Sequence, residues 1–150
     1  MERTLDVVAS WKDKEGKVHS HQRLVSKVAK AGAAERIGKL EVADVQTFEE
    51  LFKRVEKAIG SIRGIGDLAV YDVALHIGAF LRKLPERVYL QRGAREGARA
   101  LGLDATQRSL PIDVFPAEFC RLKPWEIEDL LCIYKAELGQ AAGLKRRAAA

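Results

Sequence analysis

Between two stretches of helical periodicity the chain reads Ile59-Gly60-Ser61-Ile62-Arg63-Gly64-Ile65-Gly66-Asp67. Two glycines flanking one apolar residue permit a reversal at backbone angles closed to other residues. Ile65, between them, is placed to plug that reversal into a core. On the N-terminal side, Thr47-Phe48-Glu49-Glu50 has the form of a capping box. Phe48, Leu51, Phe52, Val55 and Ile59 then recur at one-face helical spacing, and Gly60 and Ser61 end the run. On the C-terminal side the pattern predicts a helix from Asp67, as N-cap, to about Leu81. Val70, Val73, Ala74, Ile77 and Leu81 form one face, broadened by Leu68, Leu75 and Phe80. A helix apolar over most of its circumference is central to a bundle. The amides that open it point outward and make an anion site. On a nucleic-acid binder that anion is a backbone phosphate, contacted for position and not for base sequence.

The rest of the chain is also predominantly helical in pattern. Ser20 predicts the cap of a helix over about 21–31 carrying Leu24, Val25 and Val28. Residues 4–19 fit either a helix and loop or a short hairpin turning at Asp13-Lys14-Glu15-Gly16. Pro85 breaks the periodicity, and Arg87–Leu90 reads as briefly extended. Residues 91–101 read as a short basic helix closed by Gly102, followed by a loop with Pro111 and Pro116 and a helical turn over 117–122. Pro124 suits the first position of a last helix. Glu126, Glu128 and Asp129 there complement its dipole, and Ile127, Leu130, Leu131, Tyr134 and Leu138 form its apolar face. The expected fold is all-α: one domain over 1–144, a bundle of about five to seven helices with the hairpin motif at 48–81, and a frayed basic tail at 145–150.

Composition narrows the function classes. A chain of 150 residues, 47% hydrophobic, needs no metal or disulfide to hold a core and is too apolar for a disordered tail. Cys120 and Cys132 are too few for a disulfide scaffold or a four-cysteine cluster. No apolar run approaches a membrane span, and the start lacks a signal peptide's apolar stretch, so the expected location is cytoplasmic. The net charge of +5 is modest but localised. Residues 82–108 carry seven basic side chains (Arg82, Lys83, Arg87, Arg92, Arg95, Arg99, Arg108) against Glu86, Glu96 and Asp104. Six of the seven are arginine, whose planar fork suits phosphate oxygens. Arg92, Arg95 and Arg99 fall at i, i+3 and i+7, one stripe on a helix.

The pattern Ile59-x-x-Ile62-x-Gly64-Ile65-Gly66-x-x-x-Val70-x-x-Val73-Ala74 resembles the helix-hairpin-helix DNA-binding motif, with Val70 where a small residue is usual. The resemblance extends to helix-hairpin-helix base-excision DNA glycosylases. Val88-Tyr89-Leu90 stands where these have an extended segment, and Ala100-Leu101-Gly102-Leu103 ends the following helix as theirs ends. The match spans about 59–103. It implies a DNA-binding scaffold and argues against the chemistry. The family's essential Asp falls on Gln91, and the Lys of its bifunctional members falls on Leu68. No Asp or Lys lies within 88–95 to restore either by a small slip. An amide does not stabilise a developing cation as a carboxylate does, and Leu has no amine nucleophile.

The remaining chemistry-bearing residues favour ordinary roles. His19 and His21 have no convincing third ligand nearby, so no metal site is expected. His76 reads as a satisfied buried or half-buried side chain. Asp72, inside an apolar helix, must find a partner and reads as an ion-pairing or capping group. Ser20, Ser109 and the cysteines show no nucleophile–base arrangement, and Trp125 beside Pro124 reads as a packing anchor. Few aromatics remain for single-strand stacking, which favours duplex. The expected function is non-sequence-specific duplex DNA binding, without catalysis and without cofactor, through Ile62, Arg63, Gly64, Ile65, Gly66 and Asp67 with Arg92, Arg95 and Arg99. The alternatives are a repair enzyme with non-standard catalytic residues and a protein–protein interaction module.

Overall fold

A computed structural model describes residues 25–140. They are mostly helical, with one two-stranded sheet, as the all-α reading expects. Within the span read as one helical domain the fold resolves two compact units, Met1–Leu84 and Pro85–Ala150. Their boundary is the step to Pro85 at which the helical periodicity breaks.

The first unit contains α1 (Lys27–Gly38), α2 (Phe48–Ile59) and α3 (Asp67–Leu81). Helix α1 corrects the helix expected over 21–31. Ser26 is its cap, accepting a hydrogen bond from the Ala29 amide at 3.2 Å, and the helix runs on to Gly38. The large apolar residues pointed to the wrong register, because the buried stripe is Ala29, Ala33 and Ile37 while Val28 is 84% exposed. Ser20, Leu24 and residues 4–19 lie outside the described residues, as does the tail 145–150.

Helix α2 starts where its capping residues place it. Thr47 Oγ1 accepts from the Glu50 amide at 3.2 Å, but the Glu50 carboxylate reaches back to the Gln46 amide at 2.9 Å, one residue beyond the usual box. Its expected face is buried in full. Helix α3 begins one residue earlier than expected. Gly66 is the cap and Asp67 the first helical residue, whose carboxylate complements the dipole at that end. Tyr71, not counted on the apolar face, is buried edge-on to Phe48 and Phe52 at ring centroids of 6.1 and 6.2 Å. Phe80, counted there, is half exposed. Helices α2 and α3 approach closely at Gly78, where a Cβ would lie 3.2 Å from Phe48 and 2.5 Å from the Lys83 carbonyl.

The second unit is built on β1 (Val88–Tyr89), α4 (Arg92–Ala100), β2 (Ser109–Leu110) and α5 (Pro124–Ile133), with 3-10 turns at Ile112–Val114 and Phe119–Arg121. The strands pair antiparallel, Val88 opposite Leu110 and Tyr89 opposite Ser109. Gly102, at φ 79°, closes α4, and the Gly102 and Leu103 amides return to the carbonyls of Arg99 and Ala98. Pro124 opens α5 as expected, while Glu126 accepts from the Lys123 amide at 2.7 Å. Ile127 and Leu131 are fully buried with Val88, Leu90, Ala94, Ala98, Leu110 and Phe115. Tyr134 leaves the expected face: the helix stops at Ile133, and Tyr134 is half exposed.

Helices α4 and α5 meet backbone to backbone. A Cβ on Gly97 would lie 2.2 Å from the Leu131 carbonyl oxygen, and one on Gly93 would lie 2.3 Å from Cys132 Sγ. The four-residue spacing puts both on one face of α4, beside Ala94 and Ala98. Gly97→Ala should therefore cost about 2–3 kcal/mol in urea denaturation, as overpacking does. Gly38→Ala, which meets open space, should be neutral or slightly stabilising.

The loop between α1 and α2 is tied to α2 by Arg54. Its guanidinium grips both Asp44 oxygens, at 2.7 and 2.9 Å, and donates to the Glu41 carbonyl at 2.9 Å. That hydrogen bond is the main reason the Asp44 carboxyl lies at about 2 instead of 3.8. A depressed folded value means that the pair supports the fold above pH 3.8 and is lost as pH falls toward 2. Carbon-detected NMR titration should find the Asp44 midpoint near 2 and, in Arg54→Gln, displaced upward toward 3.8.

Candidate nucleic-acid interface

The reversal between α2 and α3 is a tight, internally bonded turn. The Ile62 amide donates to the Ile59 carbonyl at 3.0 Å, and the Ile65 amide to the Ile62 carbonyl at 2.9 Å. Gly64 takes φ 93°, while Arg63 before it has no positive φ. That combination fits a type II turn, which requires a left-handed residue at its third position. Ile65 is 8% exposed and enters the core as a plug; Ile62 is half-buried. Arg63, Gly64, Gly66 and Asp67 remain as the exposed rim.

The start of α3 is open. Its first intrahelical bond is from the Val70 amide to the Gly66 carbonyl, 3.1 Å, so the amides of Asp67, Leu68 and Ala69 precede it. Gly66, as cap residue, has no side chain to accept from them. Arg63 forms no ion pair or hydrogen bond among the described residues. The rim thus offers donors and one cation at a positive helix end, with the Asp67 carboxylate as the one opposing charge.

Helix α1 supports this turn from behind. A Cβ on Gly64 would lie 3.7 Å from Ala29 Cβ, and one on Gly32 would lie 3.8 Å from Ile62 Cδ1. Arg36 donates to the Ala58 carbonyl and to Ser61 Oγ, both at 3.1 Å. Sequence reasoning missed Arg36, because nothing in local spacing links it to a serine 25 positions away.

In the second unit the arginine stripe divides. Arg92 is exposed at the start of α4, facing Glu96 at 4.0 Å, and Arg99 is exposed, its charge also acting on Glu96. Glu96 is shared with Lys135, whose ammonium is the main cause of its lowered carboxyl pKa. Arg95 is half-buried and turned inward. Its guanidinium donates to the carbonyls of Ala105, Gln107 (3.1 Å) and Leu90 (2.9 Å). Arg87 likewise donates to Ser109 Oγ at 2.9 Å and to the Ser109 carbonyl at 3.1 Å. Much of the basic run therefore holds its own loops. The periodicity that put Arg95 in the stripe is correct, but the carbonyl ring of 105–107 takes its donors.

Other sequence candidates fall in ordinary settings. Gln91 is 7% exposed and caps α4, its carbonyl accepting from the Arg95 amide at 2.7 Å. Leu68 is half-buried in the first turn of α3. His76 is exposed, not buried, and its Nδ1 lies 2.7 Å from the Asp72 carbonyl of the same helix. Asp72 is half-buried with interactions of its own. Cys120 is exposed, and burial raises the pKa of Cys132. His19 and His21 lie outside the described residues. Among the described residues no group of three or more His, Cys, Asp or Glu is placed to hold a metal, and no helix is long and apolar enough to cross a membrane.

Arg95→Ala should cost about 2–3 kcal/mol in chemical denaturation, since it strips a charged donor from three carbonyls. Arg99→Ala should change stability by less than about 0.5 kcal/mol. Equal values for the two would show that Arg95 is no clamp.

Comparison with protein-family models, with curated proteins and with solved structures finds no match.

Proposed function

We propose that the protein binds duplex DNA without sequence readout, through the exposed rim of the turn between α2 and α3. The observation that carries this reading is the uncapped start of α3 behind a turn held at Gly64. First-turn amides without a side-chain cap, a positive helix end and the exposed Arg63 support a contact with one backbone phosphate. The pattern around Gly64, Ile65 and Gly66 that resembles the helix-hairpin-helix motif supports the same partner. Arg92 and Arg99, exposed on α4, supply two further cations in the second unit. The proposed site of the first unit is therefore Arg63, Gly64, Gly66 and Asp67, and Arg92 and Arg99 are proposed phosphate contacts of the second unit taken by itself. Ile62 and Ile65 shape the turn, and Arg95 serves the fold.

The reading is of binding without catalysis. Gln91 and Leu68 stand where the glycosylase resemblance would place a carboxylate and an amine, and neither side chain does that chemistry. Abasic duplex incubated with the protein and borohydride should give neither strand scission nor a trapped adduct.

Titration of a fluorescent duplex at several salt concentrations tests the binding. Three cationic contacts predict a log–log slope of about −2 to −3, at about 0.9 per phosphate. Gly64→Ala forces a side chain into a left-handed turn and should weaken binding about tenfold at low salt. The Arg92→Ala/Arg99→Ala double variant should reduce the slope by about 2. Asp67→Asn removes the opposing charge and should tighten binding about twofold. A wild-type protein that shows no salt-dependent association at low ionic strength would overturn the proposal.

A further inference from the structure

We infer that Arg36 is a positioning residue for the turn at Ile62–Asp67, holding the amide donors of α3 in register without itself touching the bound anion. The geometric part of this inference stands on the first unit alone; its consequence for binding rests on the duplex-binding reading.

A turn of this kind has to be anchored at both ends. At the far end Ile65 is sunk in the core and Gly66 begins α3. At the near end, α2 finishes at Ile59, where the last carbonyls of a helix lack intrahelical donors. Arg36 meets that need. Its Nη1 donates to the Ala58 carbonyl in the last turn of α2 and to the Ser61 hydroxyl at the entry to the turn, both at 3.1 Å. One guanidinium nitrogen thus ties the helix end to the loop that leaves it. A cation at a helix C-terminus is also favoured by the dipole.

Helix α1 gives the clamp a rigid base. Ala29 and Gly32 bring the helix against the turn at Gly64 and Ile62, and Ala33 and Ile37 are buried beside them on the helix face. Ala29, Gly32 and Arg36 stand at i, i+3 and i+7, so one stripe of α1 backs the turn from its tip to its entry. The small residues permit the approach, and Arg36 closes it with directed bonds. Lys at this position would keep the charge but lose the planar fork.

Two measurements on the full chain test this. In the absence of DNA, hydrogen exchange of the Ile65 amide, bonded to the Ile62 carbonyl, should be about tenfold faster in Arg36→Ala than in wild type. Ser61→Ala, which removes one of the two acceptors, should give a smaller acceleration. Exchange unchanged in Arg36→Ala would overturn the inference whatever the protein does with DNA.

In duplex titrations Arg36→Ala should bind about five- to tenfold more weakly with the wild-type salt slope, because no phosphate contact is lost. Arg63→Ala should lower the slope by about 0.9. A slope reduced in Arg36→Ala by that same amount would make Arg36 a direct contact and overturn the positioning role. Arg36→Lys should recover part of the affinity at unchanged slope, and a full loss in Arg36→Lys would also count against it. Should wild type fail to bind duplex at all, the function proposed above falls, while the exchange measurement still decides whether Arg36 holds the turn.

Discussion

In each unit two helices meet where one of them has no side chain, and the surrounding structure is arranged about that close approach. On α4, a Cβ at Gly97 would fall 2.2 Å from a carbonyl oxygen of α5, and Gly93 sits one turn earlier against Cys132. On α3, a Cβ at Gly78 would fall 3.2 and 3.4 Å from the side chains of Phe48 and Leu51 of α2, and 2.5 Å from the Lys83 carbonyl that closes α3 itself. Close-packed interiors tolerate little change of volume at such points. The seam of α4 therefore decides which of its residues face α5 and which face water. Arg92 and Arg99 are surface residues because Gly93, Ala94, Gly97 and Ala98 are not.

Arginine recurs in this protein as a fastener for loop carbonyls. Arg36 holds the end of α2, Arg54 the loop before it, Arg87 the second strand, and Arg95 the loop after α4. Short loops between helices leave carbonyls without amide partners, and a five-donor fork can satisfy several at once. The positive charge of the chain is thus partly structural. Of the stripe Arg92, Arg95 and Arg99, only the first and last present their charge outward. The loop that Arg95 grips is itself ordered by Asp104, which accepts from the Thr106 hydroxyl at 2.5 Å, from the Thr106 amide at 3.0 Å and from Gln107 at 3.1 Å, bonds that lower its carboxyl pKa, the hydroxyl's most.

The turn at Gly64 depends on a conformation and on a support. The left-handed φ lets the chain reverse in four residues and delivers Gly66 as a bare cap, leaving the first amides of α3 open. The support is α1, whose Ala29 and Gly32 lie against the turn while Arg36 bonds its entry. An anion site made of backbone donors is only as good as the rigidity of the backbone that presents them. For the proposed site, that rigidity is what the Arg36 bonds to Ala58 and Ser61 would supply.

Local chemistry determined a good deal by itself. The Thr47 cap, the apolar face from Phe48 to Ile59, Pro124 at a helix start, Gly102 at a helix end and the glycine turn at 64–66 are all consequences of short-range sterics and periodicity, and all were legible in the sequence. Three features were not. Helix α1 packs through alanine and glycine, so its buried face carries little hydrophobic signal, and the larger Val28 pointed to another register. Tyr71 is buried because Phe48 and Phe52 stand opposite it, which a single-helix pattern does not contain. Arg95 and Arg36 are committed to carbonyls 10 and 22 positions away. Periodicity reports which face of an element a residue occupies; only the tertiary structure decides what waits on the other side, because hydrogen bonds to distant backbone are set by how loops close.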